Sequence, residues 1–289
     1  MSLSRQNLSI IIVTLRSEEV IDKCIQSIDS SLPIIVVENS DNLTFKKYIE
    51  DKYKNVNCLL TNKNLGMGGG NNIGIKASKT DYVYIINPDT TFEKNTLDEI
   101  FLASKELEEF TILSPISSDI NFPNYKLLNS NFINKINKKP FKVNHIDGFS
   151  MLINKKKFPN NNYFDENFFM YLENNDLCKR VLNKGGSIYV IPNAKINHVG
   201  ASTVNSKYFN EVELSRNWHW MWSIFYYNKK YKGFLISLFI VLPKIVSILI
   251  KVIFFSLVFN KNKKRLYYQR FSGLLNSIIG RSSWYRPKI

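Results

Sequence analysis

The chain has 289 residues, of which 44% are hydrophobic, and a formal net charge of +15. This length suffices for one large α/β domain and an appendage. Residues 211–289 hold 14 Lys and Arg against 2 Asp and Glu, whereas residues 1–210 hold 25 against 22. Because the basic excess stands beside apolar segments, it indicates an anionic membrane surface and argues against a nucleic-acid-binding protein.

The cysteines predict the compartment of the protein. Cys24, Cys58 and Cys178 are scattered without the spacing of a metal site, and no signal peptide opens the chain. Both observations favour a reducing, cytoplasmic setting.

Short apolar runs in the first ninety residues predict buried strands, and they are Ser9–Thr14, Ile34–Val37, Cys58–Leu60 and Tyr82–Ile86. Apolar residues at helical spacing follow the first run. Strands that alternate with helices and end in polar residues are typical of a parallel, doubly wound α/β sheet. Ligands of such sheets bind beyond the carboxyl ends of the strands.

The fourth predicted strand ends in Asn87-Pro88-Asp89. Pro88 fixes its own φ and pushes Asn87 towards an extended conformation, so the Asp89 carboxylate leaves the strand in a defined direction. A divalent cation on a diphosphate takes one or two protein carboxylates, and Asp89 is a candidate for one of them. The alternative is that Asp89 starts a turn or caps the helix predicted around Leu97–Phe101.

A glycine-rich segment, Asn64–Gly74, precedes the strand that ends at Asp89. Glycine lets the backbone approach a phosphate or sugar closely, and amides at the start of a following helix can hold an anion. The same composition suits a flexible loop or a tight turn, and the spacing is not that of the dinucleotide fingerprint.

Residues 120–145 are polar and contain two prolines, which predicts a mobile loop region over an acceptor cleft. The run Asp147–Asn154 predicts a further strand with a glycine, Gly148, at its entrance. Ser187–Ile191 predicts the next strand, and His198 follows it as a second candidate metal ligand. The alternative for His198 is a hydrogen-bonded histidine of the core.

The segment Phe164–Arg180 holds the densest mixture of aromatic and acidic residues in the chain. Glu173 and Asp176 are three residues apart, so they share one side of the start of a predicted helix. Either carboxylate is a candidate general base beside a reacting hydroxyl. The alternative is that these acids interact favourably with the helix dipole in the first turn.

Together these motifs resemble the inverting GT-A glycosyltransferases of family 2, most closely the rhamnosyltransferase-like enzymes of bacterial surface-polysaccharide assembly. The resemblance covers about residues 8–232 in the same order, and it rests on Ile10–Thr14, Asn64–Gly74, Asn87–Asp89, Gly148–Ile153, Phe164–Arg180 and His198–Ser202. It implies a Rossmann-like α/β domain with a mixed, mostly parallel sheet over residues 1–210. The donor half would be about residues 1–118, the acceptor half about residues 119–210, and a helical, membrane-associating region would occupy residues 211–289.

The resemblance also implies roles for single residues and a divalent cation, Mn²⁺ or Mg²⁺, as cofactor. Asp89, with Asn87 beside it, would bind the metal, and His198 would join the metal or the diphosphate. Glu38 would contact the nucleoside base, and the other donor-binding positions would be Thr14, Asn64, Gly66 and Asn72. The acceptor side would include Asp147, Gly148 and Arg180, although Arg180 alternatively only pairs with Asp176.

One departure from the family concerns the base. The family has E-D-x-D where this chain has Glu173-Asn174-Asn175-Asp176, and its base is generally the second acid of that motif. Because an amide cannot accept the proton, Glu173 becomes the first candidate for the base and Asp176 the second.

The expected reaction is a single displacement that moves rhamnose or another deoxyhexose from a dTDP- or UDP-linked donor to a hydroxyl of a lipid-linked glycan, in O-antigen or capsule assembly. One alternative is a nucleotidyltransferase, which would be expected to carry a basic residue within the glycine segment, whereas the nearest, Lys63, lies outside the glycines. Another is a catalytically impaired scaffold protein at the membrane.

The run Gly233–Phe259 is mostly apolar, but no charge-free part of it approaches the roughly 20 residues that span a bilayer. Ser237, Lys244 and Lys251 are spaced by seven, so one polar stripe and two basic flanks predict a helix in the membrane interface. This favours a peripheral protein on the inner face of the bacterial cytoplasmic membrane. The alternative is a helical hairpin packed on the catalytic domain or on a second subunit, which would make the protein a homo-oligomer.

Overall fold

The computed structural model describes residues 2–127, 139–200 and 208–287. The chain divides into two compact units. The larger unit holds the residues up to Asp165 and the segment that starts at Asn174, and the smaller holds Glu166–Glu173 and the C-terminal helices.

The larger unit begins with four parallel strands, which are β1 (Leu8–Thr14), β2 (Ile34–Glu38), β3 (Val56–Leu60) and β4 (Tyr82–Ile86). The helices between them are α1 (Ile21–Gln26), α2 (Leu43–Lys52) and α3 (Gly66–Ala77). Alternate residues of β1 pack into different clusters: Ile10 and Ile12 into one, Ile11 into another. Both faces of the sheet are therefore covered, which explains why the strands are continuous apolar runs.

The rest of the larger unit continues this sheet. Its elements are β5 (Thr90–Phe92), α4 (Thr96–Glu106), β6 (Ile112–Ser117), β7 (Tyr125–Leu127), β8 (Phe141–Ile146), β9 (Ser150–Asn154), α5 (Glu173–Asn183) and β10 (Ile188–His198). The strand order is β3-β2-β1-β4-β9-β6-β10-β8-β7, with β5 paired to β10. The antiparallel strand β9 lies between β4 and β6. The expected mixed, mostly parallel α/β sheet followed by C-terminal helices is confirmed.

Most of the glycine-rich segment forms a helix. It is therefore not the flexible loop or tight turn that its composition also allowed. Gly66 begins α3 and the remaining glycines lie within it. A Cβ on Gly70 would stand 2.7 Å from Cγ1 of Val13, and one on Gly74 would stand 2.5 Å from Cγ2 of Ile11. The glycines are therefore needed for the close packing of α3 on β1.

Two further predictions are corrected. Parts of the predicted loop 120–145 are the paired strands β7 and β8, because Val143 and Ile146 bury their side chains in the core; residues 128–138 lie outside the described residues. Asp89 does not cap the following helix, because β5 intervenes and Asn95 is the N-cap of α4.

The smaller unit contains α6 (Phe209–Lys232), α7 (Phe234–Leu257) and α8 (Lys261–Ile278). Gly273 of α8 lies so close to the backbone carbonyl of Trp218 in α6 that it leaves no room for a side chain. Of the described helices, α7 is the one long and apolar enough to cross a membrane, a statement about its length and composition alone. Pro243 lies inside α7 and does not end it.

Candidate active site

Asp89 and His198, the two candidate metal ligands, lie side by side in the larger unit. Asp89 follows β4 and is 5% exposed. Strand β5 pairs with the end of β10 so that Thr90 is opposite His198, and this register places Nε2 of His198 3.3 Å from Oδ1 of Asp89. The His198 ring stacks on Phe149 with 4.2 Å between ring centroids, which orients the imidazole.

The backbone around Asn87 forms a tight turn that aims these groups. The Asn87 N–H donates to the carbonyl oxygen of Phe149, and the Asn87 carbonyl accepts from the Thr90 hydroxyl at 2.7 Å. Oδ1 of Asn87 and Oδ1 of Asp89 are both buried, and no donor among the described residues hydrogen-bonds to them. A buried oxygen without a donor costs about 1–3 kcal/mol, so this pair calls for a ligand.

The donor set suits a hard divalent cation. Amide and carboxylate oxygens are ligands of Mg²⁺ and Mn²⁺, and imidazole accompanies them in transition-metal sites. Across the described parts of the chain, no group of three or more His, Cys, Asp and Glu side chains is placed to hold a metal ion. The buried oxygens of Asn87 and Asp89, which lack a donor, fit a cation that would take its remaining ligands from a diphosphate and water.

Glu38 and Thr14 end neighbouring strands and are hydrogen-bonded to each other. The Thr14 hydroxyl donates to Oε2 of Glu38 at 2.6 Å, and the Ser40 hydroxyl donates to Oε1 at 2.6 Å. Burial raises the pKa of Glu38 above its ordinary value, although the two hydroxyl donors oppose this. The carboxyl group is thus held rigidly at the carboxyl end of β2.

The glycine segment brings the start of α3 to the end of β2. The Gly66 N–H donates to Oδ1 of Asn64, and Gly66 has a φ of 76°, in the left-handed region that favours glycine. The amide of Asn39, buried directly after Glu38, donates to the Gly66 carbonyl at 3.1 Å. Sequence reasoning missed Asn39, although its place after a buried acidic strand end was a usable signal.

Asn72 is placed differently from the other predicted donor residues. Its Nδ2 donates to the carbonyl oxygen of Phe164 at 2.9 Å, and its Oδ1 accepts from the Phe164 N–H at 3.0 Å. The side chain of Asn72 therefore holds the backbone of the segment that leads to the acidic residues.

Two of the predicted acceptor residues, Asp147 and Gly148, directly follow β8. The Asp147 carboxylate contacts His145: the distance between its Oδ1 and Nε2 of His145 is 3.1 Å. A Cβ on Gly148 would lie 3.4 Å from the Cβ of Asn174, whose amide donates to the carbonyl of Ile146. Sequence reasoning missed His145, which is two residues before Asp147 and therefore on the same side of an extended segment.

Asp176 and Arg180 form a buried ion pair. The Asp176 side chain is fully buried, and Nε of Arg180 lies 2.7 Å from its Oδ2. The Arg180 guanidinium also donates to the carbonyl oxygens of Asn162 and Tyr163. Arg180 therefore pairs with Asp176, which was the alternative to a role on the acceptor side, and the Asp176 carboxylate is occupied by this ion pair.

Glu173 begins α5, and it belongs to the smaller unit. Its Oε2 is buried and accepts no hydrogen bond from any described residue. Burial raises the pKa of Glu173 to about 7. Tyr171 and Leu172, directly before it, both adopt left-handed backbone conformations, with φ of 69° and 66°, which are unusual for such residues. Strained backbone and a perturbed carboxyl are typical of functional sites.

The known proteins that this chain resembles are glycosyltransferases. Residues 9–161, more than half of the chain, match the sequence profile described as Glycosyl transferase family 2. The chain is 28% identical over 192 residues to the low-salt glycan biosynthesis hexosyltransferase Agl10 of Haloferax volcanii, a match that covers 60% of this chain and 61% of that protein. It is 26% identical over 212 residues to the rhamnosyltransferase WbbL of Escherichia coli K12, covering 63% of this chain and 80% of that one.

Solved structures share the fold at low sequence identity. The mannosyltransferase PcManGT of Pyrobaculum calidifontis, solved with GDP-Man and Mn²⁺, superposes with a TM-score of 0.54 at 10% identity, over 94% of this chain and 87% of that one. GalNAc-T7, solved with UDP, GalNAc and Mn²⁺, superposes with a TM-score of 0.55 at 13% identity, over 74% of this chain and 51% of that one.

Proposed function

Because the chain belongs to glycosyl transferase family 2, we propose that it transfers a sugar from a nucleotide-diphosphate donor to an acceptor hydroxyl, with inversion. The observation that carries this proposal is the pairing of Asp89 with His198 beyond the strand ends, where Oδ1 of Asp89 itself and Oδ1 of Asn87 are buried without a donor among the described residues. The solved structures with UDP or GDP-Man and Mn²⁺ support a nucleotide-sugar donor and a divalent cation.

Asp89 and His198, with Oδ1 of Asn87 beside them, would hold Mn²⁺ or Mg²⁺. A cation bound there would offset the negative charge that develops on the departing diphosphate. Glu38, fixed by Thr14 and Ser40, would accept a hydrogen bond from the nucleoside base at the neighbouring strand end.

The acceptor hydroxyl must lose a proton as it attacks the anomeric carbon. Glu173 is our proposed base, because a carboxyl group with a pKa of about 7 is partly ionised at neutral pH and still basic enough to take the proton. Asp176 is the weaker candidate, since Arg180 and full burial engage its carboxylate. A single displacement of this kind inverts the anomeric centre.

The sugar that we propose is rhamnose or another deoxyhexose, carried on dTDP or UDP. The similarity to a rhamnosyltransferase, 26% identical over 212 residues, supports this choice. We propose that this transfer serves the assembly of an O-antigen or capsule glycan on a lipid carrier, and the exposed apolar surface of α7 supports a lipid-linked acceptor.

One side of α7 presents an apolar surface that suits a membrane. Ser237, Val241 and Ile248 are buried against the other helices of the smaller unit, whereas the opposite side exposes Leu235, Ile236, Phe239, Leu242, Val246, Leu249, Ile250, Ile253, Phe254 and Leu257. Lys244 and Lys251 repeat at seven-residue spacing from Ser237, so they fall near the packed stripe, away from the centre of the apolar surface. Lysines near both ends of α7 would add about 1 kcal/mol each of attraction to anionic lipids.

We therefore propose attachment to the inner face of the bacterial cytoplasmic membrane, where a lipid-linked glycan acceptor would be within reach. The helix would lie in the interface or cross the bilayer, since its length and composition permit both.

Calorimetric titration tests the donor site. Wild-type protein would be titrated with dTDP, UDP, GDP and dTDP-rhamnose, with and without Mn²⁺. We expect binding of at least one nucleotide that strengthens with Mn²⁺, and loss of that strengthening in Asp89→Asn. The control is Asp51→Asn, at an exposed helix position. Nucleotide binding that does not depend on Mn²⁺ in the wild type, or that keeps its full Mn²⁺ dependence in Asp89→Asn, would refute the proposed site.

A further inference from the structure

The last described residues of the chain fold against the segment that leads to Glu173. We call residues 281–287 the C-terminal strap; it and residues 166–173 both belong to the smaller unit. The Ser283 hydroxyl, which is buried, donates to the carbonyl oxygen of Asn167 at 2.7 Å. The Arg286 guanidinium lies 3.6 Å from the centre of the Phe169 ring, a cation–π contact.

Helix α6 holds the same segment from another side. The Ser223 hydroxyl donates to the carbonyl oxygen of Met170 at 2.9 Å, and the His219 ring lies 4.5 Å from that of Phe169. Nε2 of His219 is 2.7 Å from the carbonyl oxygen of Tyr285, which links α6 to the strap. Burial lowers the pKa of His219 to about 3, so the imidazole is neutral and Nε2 carries the proton that this contact needs.

The segment held in this way ends in two left-handed residues, Tyr171 and Leu172, and then in Glu173. Left-handed backbone in non-glycine residues costs of order 1–3 kcal/mol each and persists only where surrounding contacts impose it. On α6, the Trp220 ring meets the Tyr171 ring edge-on at 5.4 Å. Contacts with α6 and with the strap therefore impose a left-handed backbone that the local sequence does not favour.

We propose that Ser283 and Arg286 are positioning residues: by holding Asn167 and Phe169, the C-terminal strap keeps the Tyr171–Leu172 turn left-handed and the Glu173 carboxyl buried. The inference rests on the proposed role of Glu173 as the base. It assigns a function at the site to residues more than a hundred positions away in the sequence, which touch no reacting group themselves.

The carboxyl environment gives the test a readout that a merely structural strap would not move. The titratable and charged groups of the smaller unit around this turn are Tyr171, with Arg216 and Glu213 of α6 acting on it electrostatically. Along α5 itself, the next acid, Asp176, is paired with Arg180. The neutral His219 and the Arg286 guanidinium also face this segment, at the Phe169 ring. Ser283→Ala changes none of these charges, and Arg286→Met removes one cation, which by itself would raise the pKa of a nearby carboxyl group. A fall in the titration midpoint of Glu173 would therefore report its exposure to water.

The experiment uses full-length protein without any ligand. Infrared difference spectra across pH would be recorded for the wild type, Ser283→Ala, Arg286→Met and the double variant, and the Glu173 band assigned by its loss in Glu173→Gln. The adjacent exposed Ser282→Ala is the matched control for Ser283→Ala, and Arg281→Met the control for Arg286→Met. Amide hydrogen exchange of residues 166–173 would be followed in the same samples.

We expect the Glu173 midpoint to move from near 7 towards the ordinary carboxyl range in the strap variants, with at least about tenfold faster exchange in residues 166–173. The controls should match the wild type. An unchanged midpoint in the double variant overturns the proposal, whether or not the exchange rate or melting temperature changes. This readout needs no turnover: retained activity in Glu173→Gln would refute the base and leave the positioning result intact.

Discussion

The imidazole of His198 approaches the carboxylate of Asp89 to 3.3 Å, and the two residues arrive there from the ends of β10 and β4. Neither an ordinary core histidine nor a surface turn explains this pair, because the Asp89 oxygen concerned is buried and accepts no hydrogen bond from the described residues. A bound cation would satisfy both groups at once.

His198→Ala should therefore weaken nucleotide binding in the presence of Mn²⁺ by about tenfold or more, equivalent to about 1.4 kcal/mol. Binding without the metal should change little, because in the proposed site the imidazole would act through the cation. Titration calorimetry measures both. The control is His145→Ala, which removes a histidine on the acceptor side; equal losses in the two variants, or equal losses with and without Mn²⁺, would contradict a ligand role for His198.

Glu173→Gln should retain donor binding and lose nearly all turnover. In the wild type, turnover should fall as the pH drops below about 7, because protonation of Glu173 would remove the proposed base. Initial rates of nucleotide release between pH 5 and 9, together with calorimetry of the same protein, separate the two effects. Near-normal turnover in the variant would move the base elsewhere.

The same burial predicts how stability varies with pH. The pKa of Glu173 is higher in the folded state than in the unfolded state, so its neutral form favours folding below about pH 4.5, and this advantage is lost as the pH rises through 7. The free energy of unfolding of Glu173→Gln should therefore rise by about 3 kcal/mol relative to that of the wild type between pH 4 and pH 8. Urea unfolding at the two pH values measures the difference, and a constant difference would contradict a buried carboxyl.

Arg180→Met should destabilise the protein by about 3–5 kcal/mol, because it leaves the fully buried Asp176 without its charged partner. Adding Asp176→Asn should recover part of the loss. Lys184→Met, an exposed position on the turn after the same helix, serves as control. Urea unfolding that shows less than about 1 kcal/mol for Arg180→Met would mean that the pair does not stabilise the fold.

Gly70→Ala should destabilise the larger unit. Alanine gains about 0.5–1 kcal/mol in a helix, but the new Cβ would overlap Val13, and overpacking costs about 1–3 kcal/mol. The net effect is a loss of roughly 1–2 kcal/mol. The double variant Val13→Ala/Gly70→Ala should show strong positive coupling in a double-mutant cycle, whereas additive losses would contradict the close packing of α3 on β1.

Phe239→Asp and Ile253→Asp, on the exposed side of α7, should release the protein from vesicles that contain phosphatidylglycerol. Ile120→Asp, at an exposed position of the larger unit, is the control. Co-sedimentation at low and high salt measures binding, and extraction at alkaline pH distinguishes an interfacial helix from a spanning one. Failure of the wild type to bind such vesicles would favour contact with another protein.

The order and type of the first elements could be predicted because β1, β2 and β4 are continuous apolar runs bounded by polar residues. The helical state of Gly66–Gly70 could not, since the reason for those glycines is the surface of β1, to which no local pattern refers. Asp89 and His198 were each candidates on their own. Their approach depends on β5, a strand of three residues whose pairing with β10 is too short to leave a periodic signal.

The strap is the clearest case of a feature that sequence could not reveal. Ser283 and Arg286 belong to no motif. Asn167, the hydrogen-bond partner of Ser283, lies 116 residues before it in the sequence. The departure at Asn174 could be read from the sequence, but the burial that raises the pKa of Glu173 required the packed structure.

The antiparallel strand β9 has a consequence for synthesis on the ribosome. Strands β1 to β4 can associate as they emerge, but β6 is separated from β4 in the sheet by β9, which is translated about thirty residues after β6. A nascent chain that has reached residue 118 therefore carries an open edge on β4 and a β6 with no neighbour. Such edges recruit other chains, so the donor half alone is an incomplete folding unit and an aggregation-prone fragment until residues 150–154 close the gap.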